Sequence, residues 1–340
     1  MSASTTAQTI AVIGATGHQG GGVVDVLLSS STYLVRAISS DPSTDKAKAF
    51  LAKHSKYVDS GRLTLVKGDL NDRASLETAI KGSYGLFASF LPIPTDGPIE
   101  QNPEVIQGKN LVDAVSSTGI EHFVYSSLPS IKKLSGGSNT KVFPFESKAV
   151  IEEYARRQFK NSTFVIPGTF LKNLVMPLWM KRKADGTVAV VTPVKAETKL
   201  GWIHEDHDMG TFVTAIFKKG PSVTAGKTYP INSRPVTSSE LGQMYTRATG
   251  EPTVVEPLAI EEAAGFLESI AGKIFADALV GMLKHLDDKD SSSPFNYGRG
   301  YIPDERDLSF EDLGVQASTP EEYFKRTGWR VAPLDSATSA

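Results

Sequence analysis

A short apolar run that ends in a cluster of glycines constrains the fold of this chain more than any other feature. Residues 9–13 read TIAVI, and the following loop places Gly14, Gly17 and Gly20 at GxxGxxG spacing before a helical segment. A fully apolar run that stops at a glycine is typical of a buried parallel strand. In such a unit the first glycine permits a sharp turn, the second lets a pyrophosphate approach the backbone, and the third lets the helix pack close to the strand. The loop predicts a dinucleotide site, with a plain tight turn that binds no nucleotide as the alternative.

The rest of the first half alternates between apolar runs and helical segments. This alternation indicates βαβ units, and therefore a parallel sheet with right-handed crossovers. We expect strands over residues 9–13, 33–38, 62–69, 84–90, 121–127 and 162–168. We expect helices over residues 20–30, 44–53, 73–82, 102–118 and 145–157. The predicted fold class is α/β, a Rossmann-type doubly wound parallel sheet with a smaller C-terminal α+β substrate lobe.

The pattern becomes less regular after Gly168. A helix is predicted over 169–183, interrupted by Pro177, and another over 207–219 with Asp208 as its cap. The other predicted elements are short strands within 187–192, 198–203 and 228–231, and helices over 237–250, within 259–288 and over 319–328.

This change of pattern divides the chain into two predicted units. The first is a dinucleotide-binding Rossmann domain over residues 8–168, to which 205–232 returns. The second is a smaller substrate or partner lobe built from 169–204 and 233–332. A chain of 340 residues is long enough for both, because a typical domain has about 150 residues.

Composition and charge exclude several classes of protein. The chain has no cysteine, so disulfides, thiolate metal sites and cysteine nucleophiles are excluded. Its net charge of −2 gives none of the basic field that generic nucleic-acid binding requires. No run reaches the roughly 18 apolar residues of a membrane span, and the first residues lack the cationic start of a secretory signal. We expect a soluble protein of the cytoplasm, with the nucleus as a further location, no nucleic-acid or membrane partner, and a homodimer left open.

The end of the second strand distinguishes NAD from NADP. An NAD site usually places an acid there to accept a hydrogen bond from the ribose 2′-hydroxyl, whereas this chain reads Ser39-Ser40-Asp41-Pro42. The serines can hydrogen-bond a 2′-phosphate, and Lys46 follows on the next predicted helix. Asp41 before a proline is more typical of a turn than of a ribose ligand. The sequence therefore favours NADP(H) over NAD(H).

Several segments, taken in their order along the chain, resemble one family. They are GATGHQG at 14–20, VRAISSDP at 35–42, VKGDLND at 66–72, VYSSLPSIKKLSGG at 124–137, FESKAVIEEYAR at 145–156 and IPGTFLKNL at 166–174. These segments are similar to those of the NmrA-like proteins, atypical short-chain dehydrogenases related to isoflavone reductases. That family includes redox-sensing regulators that bind NADP. The resemblance covers most of the chain and is strongest before about residue 175.

The resemblance implies a cofactor shell along the ends of the first five strands. The pyrophosphate would lie on the glycine loop, the adenosine at the ends of strands two and three, and the nicotinamide ribose at strands four and five. With Lys46 added, the residues of this shell are Gly14, Thr16, Gly17, His18, Gln19, Gly20, Ser39, Ser40, Lys46, Asp69, Leu70, Ala88, Ser89, Phe90, Ser127 and Lys148. The family often has arginine where Ser40 stands, and arginine would bind a 2′-phosphate through two hydrogen bonds that serine cannot make.

Lys148 and Ser126 are the candidate catalytic residues. Ordinary short-chain dehydrogenases use a tyrosine four residues before the lysine, and Pro144 stands at that position here. The isoflavone-reductase branch keeps the lysine without the tyrosine, which implies that Lys148 itself acts as acid or base. The alternative is that Lys148 only hydrogen-bonds the nicotinamide ribose. Ser126 would orient the substrate through its hydroxyl.

Residues 204–208 form a dense cluster of histidines and acids. Two imidazoles with carboxylates are a conceivable metal site. However, His204 and His207 straddle a predicted strand-to-helix join, which favours a helix-capping role. We predict no metal site.

Two classes of function follow. The first is an NADPH-dependent oxidoreductase that reduces a small carbonyl, imine, enone or quinone. The second is a non-catalytic NAD(P) redox sensor that regulates a transcription factor or another protein partner. The missing tyrosine favours the sensor, whereas the retained Lys148 and the large second lobe favour the enzyme. We favour the enzyme acting on a small-molecule substrate.

Overall fold

The computed structural model describes residues 7–30, 32–289 and 293–333. The strands are β1 (Gln8–Ile13), β2 (Tyr33–Ser39), β3 (Leu63–Lys67), β4 (Gly85–Ala88), β5 (His122–Ser126), β6 (Ser162–Pro167), β7 (Thr169–Phe170), β8 (Met180–Arg182), β9 (Val188–Thr192), β10 (Trp202–Ile203), β11 (Thr228–Ile231) and β12 (Thr253–Pro257). The α-helices are α1 (His18–Ser29), α2 (Asp45–Lys53), α3 (Ser55–Asp59), α4 (Arg73–Ile80), α5 (Pro103–Ser117), α6 (Ile131–Leu134), α7 (Phe143–Gln158), α8 (Glu205–Lys219), α9 (Pro221–Thr224), α10 (Ser238–Thr249), α11 (Ile260–Ala271), α12 (Lys273–Asp288) and α13 (Pro320–Thr327). Short 3-10 turns cover Ile99–Gln101, Leu171–Val175 and Pro303–Glu305, and a π turn covers Ser309–Leu313.

Seven parallel strands form the central sheet in the order β11-β6-β5-β4-β1-β2-β3. The strand order runs outward in both directions from the junction of β1 and β4. That junction is the topological switch point, where ligands of open α/β sheets bind beside the carboxyl ends of the strands. The predicted Rossmann-type fold class is confirmed.

The side chains of β1 alternate between two cores, as the period of two along a strand requires. Ile10 and Val12 pack with apolar side chains of α1 and α8 on one face of the sheet. Ala11 and Ile13 pack on the other face with apolar side chains of α4, α5 and α7. The central strands are buried on both faces, which explains why they appear as continuous apolar runs in the sequence.

Helices α1 and α8 approach each other at glycines. A Cβ atom on Gly22 would lie 1.7 Å from the Asp206 carbonyl oxygen, and one on Gly210 would lie 2.4 Å from the Gly22 carbonyl oxygen. Gly22 of α1 and Gly210 of α8 therefore allow close packing of the two helices. This packing brings the first turn of α8 beside the start of α1.

The second lobe packs around a third core, which it shares with side chains of the first unit such as Ile131, Phe145 and Ile166. It contains the three-stranded sheet β12-β9-β8 and the pair β10-β7, and its core includes Trp179, Trp202, Tyr245 and Phe324. The predicted helical stretch within 259–288 is two helices, because Gly272 adopts φ of +84° between α11 and α12. None of the described helices is both long and apolar enough to span a membrane.

The helix predicted over 169–183 is wrong. This segment contains β7, a 3-10 turn and β8. Strand β7 pairs with β10, and Trp179 lies in the lobe core. Pro177 has no N–H to continue a helical ladder, so the apolar residues that suggested a helix are buried in an irregular path.

Two details of the second half also differ from expectation. Asp208 is not the cap of α8, because that helix begins at Glu205; the buried Asp208 carboxylate instead accepts from the backbone N–H of His204 over 2.8 Å. Strand β12 was not predicted, because most of its residues are partly or fully exposed and its sequence lacks a clear apolar alternation. The helix predicted over 237–250 is confirmed as α10, with Thr237 at its N-cap and Gly250 at its C-cap.

Candidate functional site

The glycine loop joins β1 to α1 at the carboxyl edge of the sheet. Gly14 adopts φ of +79°, and the Gly17 N–H donates to the Gly14 carbonyl oxygen over 2.8 Å. Gly17 occupies the cap position of α1 and is exposed, as is His18. Because glycine has no side chain to bond the first N–H groups of the helix, these groups and the positive end of the helix dipole remain available to an anion.

The glycines of the loop differ in what the fold requires of them. A Cβ atom on Gly20 would lie 2.2 Å from the Gly14 carbonyl oxygen, so only glycine lets α1 pack against the end of β1. At Gly17 the nearest contact would be with the same oxygen at 3.2 Å, and φ is −91°. The backbone conformation at Gly17 is therefore one that other residues adopt, although a Cβ atom there would lie close to the Gly14 carbonyl oxygen. Its glycine leaves open the space directly above the helix start.

Two further strand ends meet the loop. The Ser126 hydroxyl, at the end of β5, donates to the Gln19 side-chain oxygen over 2.7 Å. A Cβ atom on Gly14 would lie 2.7 Å from the carbonyl oxygen of Ser89, just beyond β4. The structure thus brings the ends of β1, β4 and β5 together. Ala88 and Phe90 are instead buried in the core on the α5 face.

The predicted adenosine side lies at the ends of β2 and β3. Ser39 is paired in register with Lys67, an exposed lysine that the sequence analysis did not single out. Asp41 accepts from the backbone N–H and the hydroxyl of Ser43, which lowers its pKa, so it is a turn residue as expected. Asp69 accepts from the backbone N–H of Asn71 within its own turn.

A groove of about 310 Å³ runs from the glycine loop to α2. Thr16, Gly17 and His18 line it from the loop, and Lys46 lines it from α2. Lys46 therefore shares an open surface with the loop, as the cofactor hypothesis requires. Ser40 is exposed at the end of β2.

Lys148 is buried in α7 and its ammonium group is bound to another buried side chain. The distance from Lys148 Nζ to Glu104 Oε1 is 2.6 Å, and the Ser147 hydroxyl donates to Glu104 Oε2 over 2.6 Å. Glu104 is fully buried near the start of α5, and Lys148 is 5% exposed. Burial lowers the pKa of Lys148, and the Glu104 carboxylate opposes this shift. Ser127, also buried, donates to the Lys148 carbonyl oxygen over 3.4 Å.

A second lysine reaches the glycine loop from the other lobe. Lys172 lies in the 3-10 turn after β7, and its Nζ is 2.9 Å from His18 Nδ1. The same ammonium group donates to the carboxylate of Asp206, in the first turn of α8. Neighbouring Glu205 is fully buried, and burial raises its pKa to about 7. The Lys172–Asp206 pair therefore borders the loop at the His18 imidazole.

A larger cavity of about 520 Å³ lies at the carboxyl edge between α7 and α12. Phe143 and Ile274 give it apolar walls, and Lys132, Lys141 and Glu146 give it charged ones. Glu146 accepts from the Ser130 hydroxyl over 2.7 Å, which ties the loop after β5 to the start of α7. Neither Lys148 nor Ser126 is among the residues that line this cavity.

Most side chains of the cluster at 204–208 make internal hydrogen bonds, whereas both carboxyl oxygens of Glu205 are buried without a partner among the described residues. The Asp208 carboxylate accepts from the Ser318 hydroxyl over 2.7 Å, and His204 Nδ1 lies 3.0 Å from Arg326 Nη1. Within the described ranges, no three acidic or histidine side chains are arranged to hold a metal ion. The cluster joins α8 to α13.

These features define a class of protein: a Rossmann-type fold with a glycine loop at the switch point of its sheet. The sequence model of the NmrA-like family matches residues 6–323. The chain belongs to the NmrA-like family, which confirms the predicted resemblance.

Relatives and solved structures agree with this assignment. The chain is 28% identical over 258 residues to malD, an NmrA-like family domain-containing oxidoreductase of Malbranchea aurantiaca. The aligned residues cover 71% of this chain and 73% of malD. It is 34% identical over 173 residues to FrzB, an oxidoreductase of the same description from Cladobotryum sp, over 49% of this chain and 48% of FrzB. Structures of NmrA, a negative transcriptional regulator, in complex with NAD and with NADP share the fold, each with a TM-score of 0.73 over 94% of this chain and 95% of theirs, at 22% and 21% identity.

Sequence reasoning missed Glu104, Lys172 and Lys67. Glu104 carries a weak signal, since an acid in the first turn of a helix is expected to interact with the helix dipole. Lys172 stood within a segment that was predicted to be a helix. Lys67 could have been found from the expected strand order, which places the end of β3 beside the end of β2.

Proposed function

We propose that the chain is an NADP(H)-dependent oxidoreductase that reduces a small carbonyl, imine, enone or quinone. One observation carries this proposal: the open start of α1 lies beside the ends of β4 and β5. The Ser126–Gln19 hydrogen bond joins it to β5, and the close approach of Gly14 to Ser89 joins it to β4. The oxidoreductase relatives and the NmrA complexes with NAD and NADP support it.

The proposal assigns a role to each part of the carboxyl edge of the central sheet. The glycine loop would hold the pyrophosphate, and the bound cofactor would supply a hydride. Ser39, Ser40 and Lys46 would bind the 2′-phosphate, so NADP(H) is favoured over NAD(H). The cavity between α7 and α12 would admit the substrate.

Two side chains would serve the substrate. Ser126, at the end of β5, would orient its polar atom. Lys148 would hold the proton that reduction consumes, with Glu104 fixing the position of the ammonium group. We further propose that 8–168 together with 205–232 form the cofactor-binding unit, supported by the pairing of β11 with β6.

A redox sensor remains the second candidate, and one observation favours it. The Lys148 ammonium is buried and already paired with Glu104. This pair can therefore stabilise the carboxyl edge of the sheet without any transfer of a proton to a substrate. The solved structures of NmrA, a negative transcriptional regulator, are the corresponding precedent.

Oxidation of NADPH by the wild-type chain tests the proposal. Aldehydes, quinones, cyclic imines and enones are supplied in turn, and absorbance of the reduced nicotinamide is followed. The Gly17→Val variant is the matched control, because it should lose the cofactor and keep its fold. Turnover of any of these substrate classes by the wild type, and not by the variant, supports the oxidoreductase proposal. If no substrate is turned over and the chain binds a protein partner in a way that depends on NADP(H), the redox-sensor proposal replaces it.

A further inference from the structure

Lys172 is the one cationic side chain that the second lobe places in hydrogen-bond contact with the glycine loop, within the part of the chain that the structure describes. Its Nζ lies 2.9 Å from Nδ1 of His18, the first residue of α1. About a third of its side chain is exposed, so the ammonium group can exchange one partner for another. The ammonium group therefore lies beside the first residue of α1, where the loop offers its N–H groups to an anion.

Asp206 holds the same ammonium group. The Lys172 Nζ donates to Asp206 Oδ2, and Asp206 Oδ1 lies 3.6 Å from His18 Nδ1. The carboxylate is kept there by the close packing of α8 on α1, where the Asp206 carbonyl abuts Gly22. A negative charge is therefore fixed beside the start of α1, in the groove that Gly17 and His18 line.

We propose that Lys172 is a ligand of the cofactor's pyrophosphate and that Asp206 is its internal competitor. This inference rests on the proposed function, because it uses the same glycine loop. Without cofactor, Lys172 neutralises Asp206. When the pyrophosphate binds at the start of α1, Lys172 transfers its hydrogen bonds from the carboxylate to a phosphate oxygen.

The two partners have opposite expected effects on binding. Removing the lysine charge removes a charge-assisted hydrogen bond to phosphate. Removing the aspartate charge releases the lysine and takes away a carboxylate that repels the phosphates. A pair that only held the loop in shape would behave differently, because breaking it from either side would weaken binding.

Calorimetric titration with NADP+ and NAD+ tests the inference on the full chain. Lys172→Gln should weaken the binding of both dinucleotides by roughly ten- to a hundredfold, the range for a hydrogen bond to a charged group. Asp206→Asn should strengthen both by about threefold or more. In the Asp206→Asn background, Lys172→Gln should still weaken binding by roughly tenfold or more, because the lysine loses its own contact with phosphate there without leaving an unpaired carboxylate.

Lys181→Gln is the matched control. Lys181 forms a comparably exposed ion pair with Glu256 in the three-stranded sheet of the second lobe, far along the chain from the glycine loop. Its loss should change neither affinity by more than about twofold, because an exposed pair stabilises little and lies outside the site.

Three results would overturn the inference. They are unchanged affinity in Lys172→Gln, weaker binding in Asp206→Asn, or no loss of affinity from Lys172→Gln in the Asp206→Asn background. In each case the wild type still binds dinucleotide and the proposed function stands. A wild-type chain that binds neither NADP+ nor NAD+ would contradict the proposed function, and this inference with it.

Discussion

Two lysines approach the carboxyl edge of the sheet, and their surroundings are opposite. Lys148 is buried in α7 and its ammonium group is bound to the fully buried Glu104. Lys172 is about one-third exposed and its ammonium group is shared between Asp206 and His18. The first pair is fixed by the packing of α5 on α7, whereas the second lies at a surface that a ligand can reach.

This difference separates stability from binding. A buried ion pair that loses one partner leaves an uncompensated charge in the core, so its loss is felt by the whole fold. A partly exposed pair stabilises little, so its lysine is available for another anion. The motif that identified Lys148 as the functional lysine does not distinguish these situations, because it contains no information about burial.

The largest effect should follow from breaking the buried pair from one side. Lys148→Met should lower the free energy of unfolding by about 3–5 kcal/mol, because the Glu104 carboxylate is left buried and unpaired. The Lys148→Met/Glu104→Gln double variant should recover most of this loss. Urea unfolding measures both variants. Lys172→Met is the control and should cost no more than about 1 kcal/mol; an equal loss in the two single variants would remove the distinction between the lysines.

The double variant also tests the catalytic role of Lys148 without the cost of an unpaired charge. If Lys148 supplies the proton, kcat on an accepted substrate should fall by about 10² to 10⁴, while cofactor affinity changes much less. Lys148→Arg should not restore the rate, because guanidinium stays protonated. A loss of cofactor affinity that arginine partly restores, at unchanged kcat, would assign Lys148 to the ribose.

The sequence predicted the central sheet well and these charge pairs poorly, for a physical reason. Strand and loop positions follow from local patterns, such as the run at 9–13 that ends at Gly14. Ion pairs depend on tertiary contacts: Lys148 is 44 residues from Glu104, and Lys172 is 154 residues from His18. The failure at 169–183 has the same origin, because the pairing of β7 with β10 outweighs a local pattern that looks helical.

Two buried carboxyl groups near these lysines, Glu104 and Glu205, also differ in their surroundings. Glu104 is paired, whereas burial raises the pKa of Glu205 to about 7 from a model-compound value of 4.5. The folded chain keeps the Glu205 proton up to about pH 7 and the unfolded chain releases it near pH 4.5, so stability is lost as the pH rises through this window.

Glu205→Gln should therefore raise the free energy of unfolding by about 3 kcal/mol at pH 8. At pH 4.5 and below the two proteins should differ little. Denaturant unfolding across this pH range measures the difference. Glu104→Gln is the contrasting variant and should destabilise at pH 8, because it leaves the Lys148 ammonium unpaired. A Glu205→Gln variant that is less stable at pH 8 would show that the carboxylate is held by favourable contacts.

A smaller effect is expected at the adenosine end. Lys46→Gln should weaken NADP+ binding by about tenfold, the equivalent of one charge-assisted hydrogen bond, and leave NAD+ binding within about twofold. Lys48→Gln is the control, since Lys48 pairs with Asp45 and does not line the groove. Tryptophan fluorescence titration with both cofactors measures the ratio. Tighter binding of NAD+ than of NADP+ by the wild type would contradict the assigned preference.

The central claim is that the start of α1 binds the pyrophosphate of a nicotinamide dinucleotide, and Gly17→Val tests it most directly. Gly17 has φ of −91° and ψ of 177°, an extended conformation that valine adopts readily, and its Cβ would meet only the Gly14 carbonyl oxygen, at 3.2 Å. The variant should fold with a modest loss of stability, because valine is a poorer helix cap than glycine and its Cβ lies close to that oxygen, yet it places a branched side chain where the phosphates must approach. Calorimetric titration with NADP+ should show binding to the wild type and none to the variant. Equal affinity in a folded Gly17→Val protein would contradict the claim.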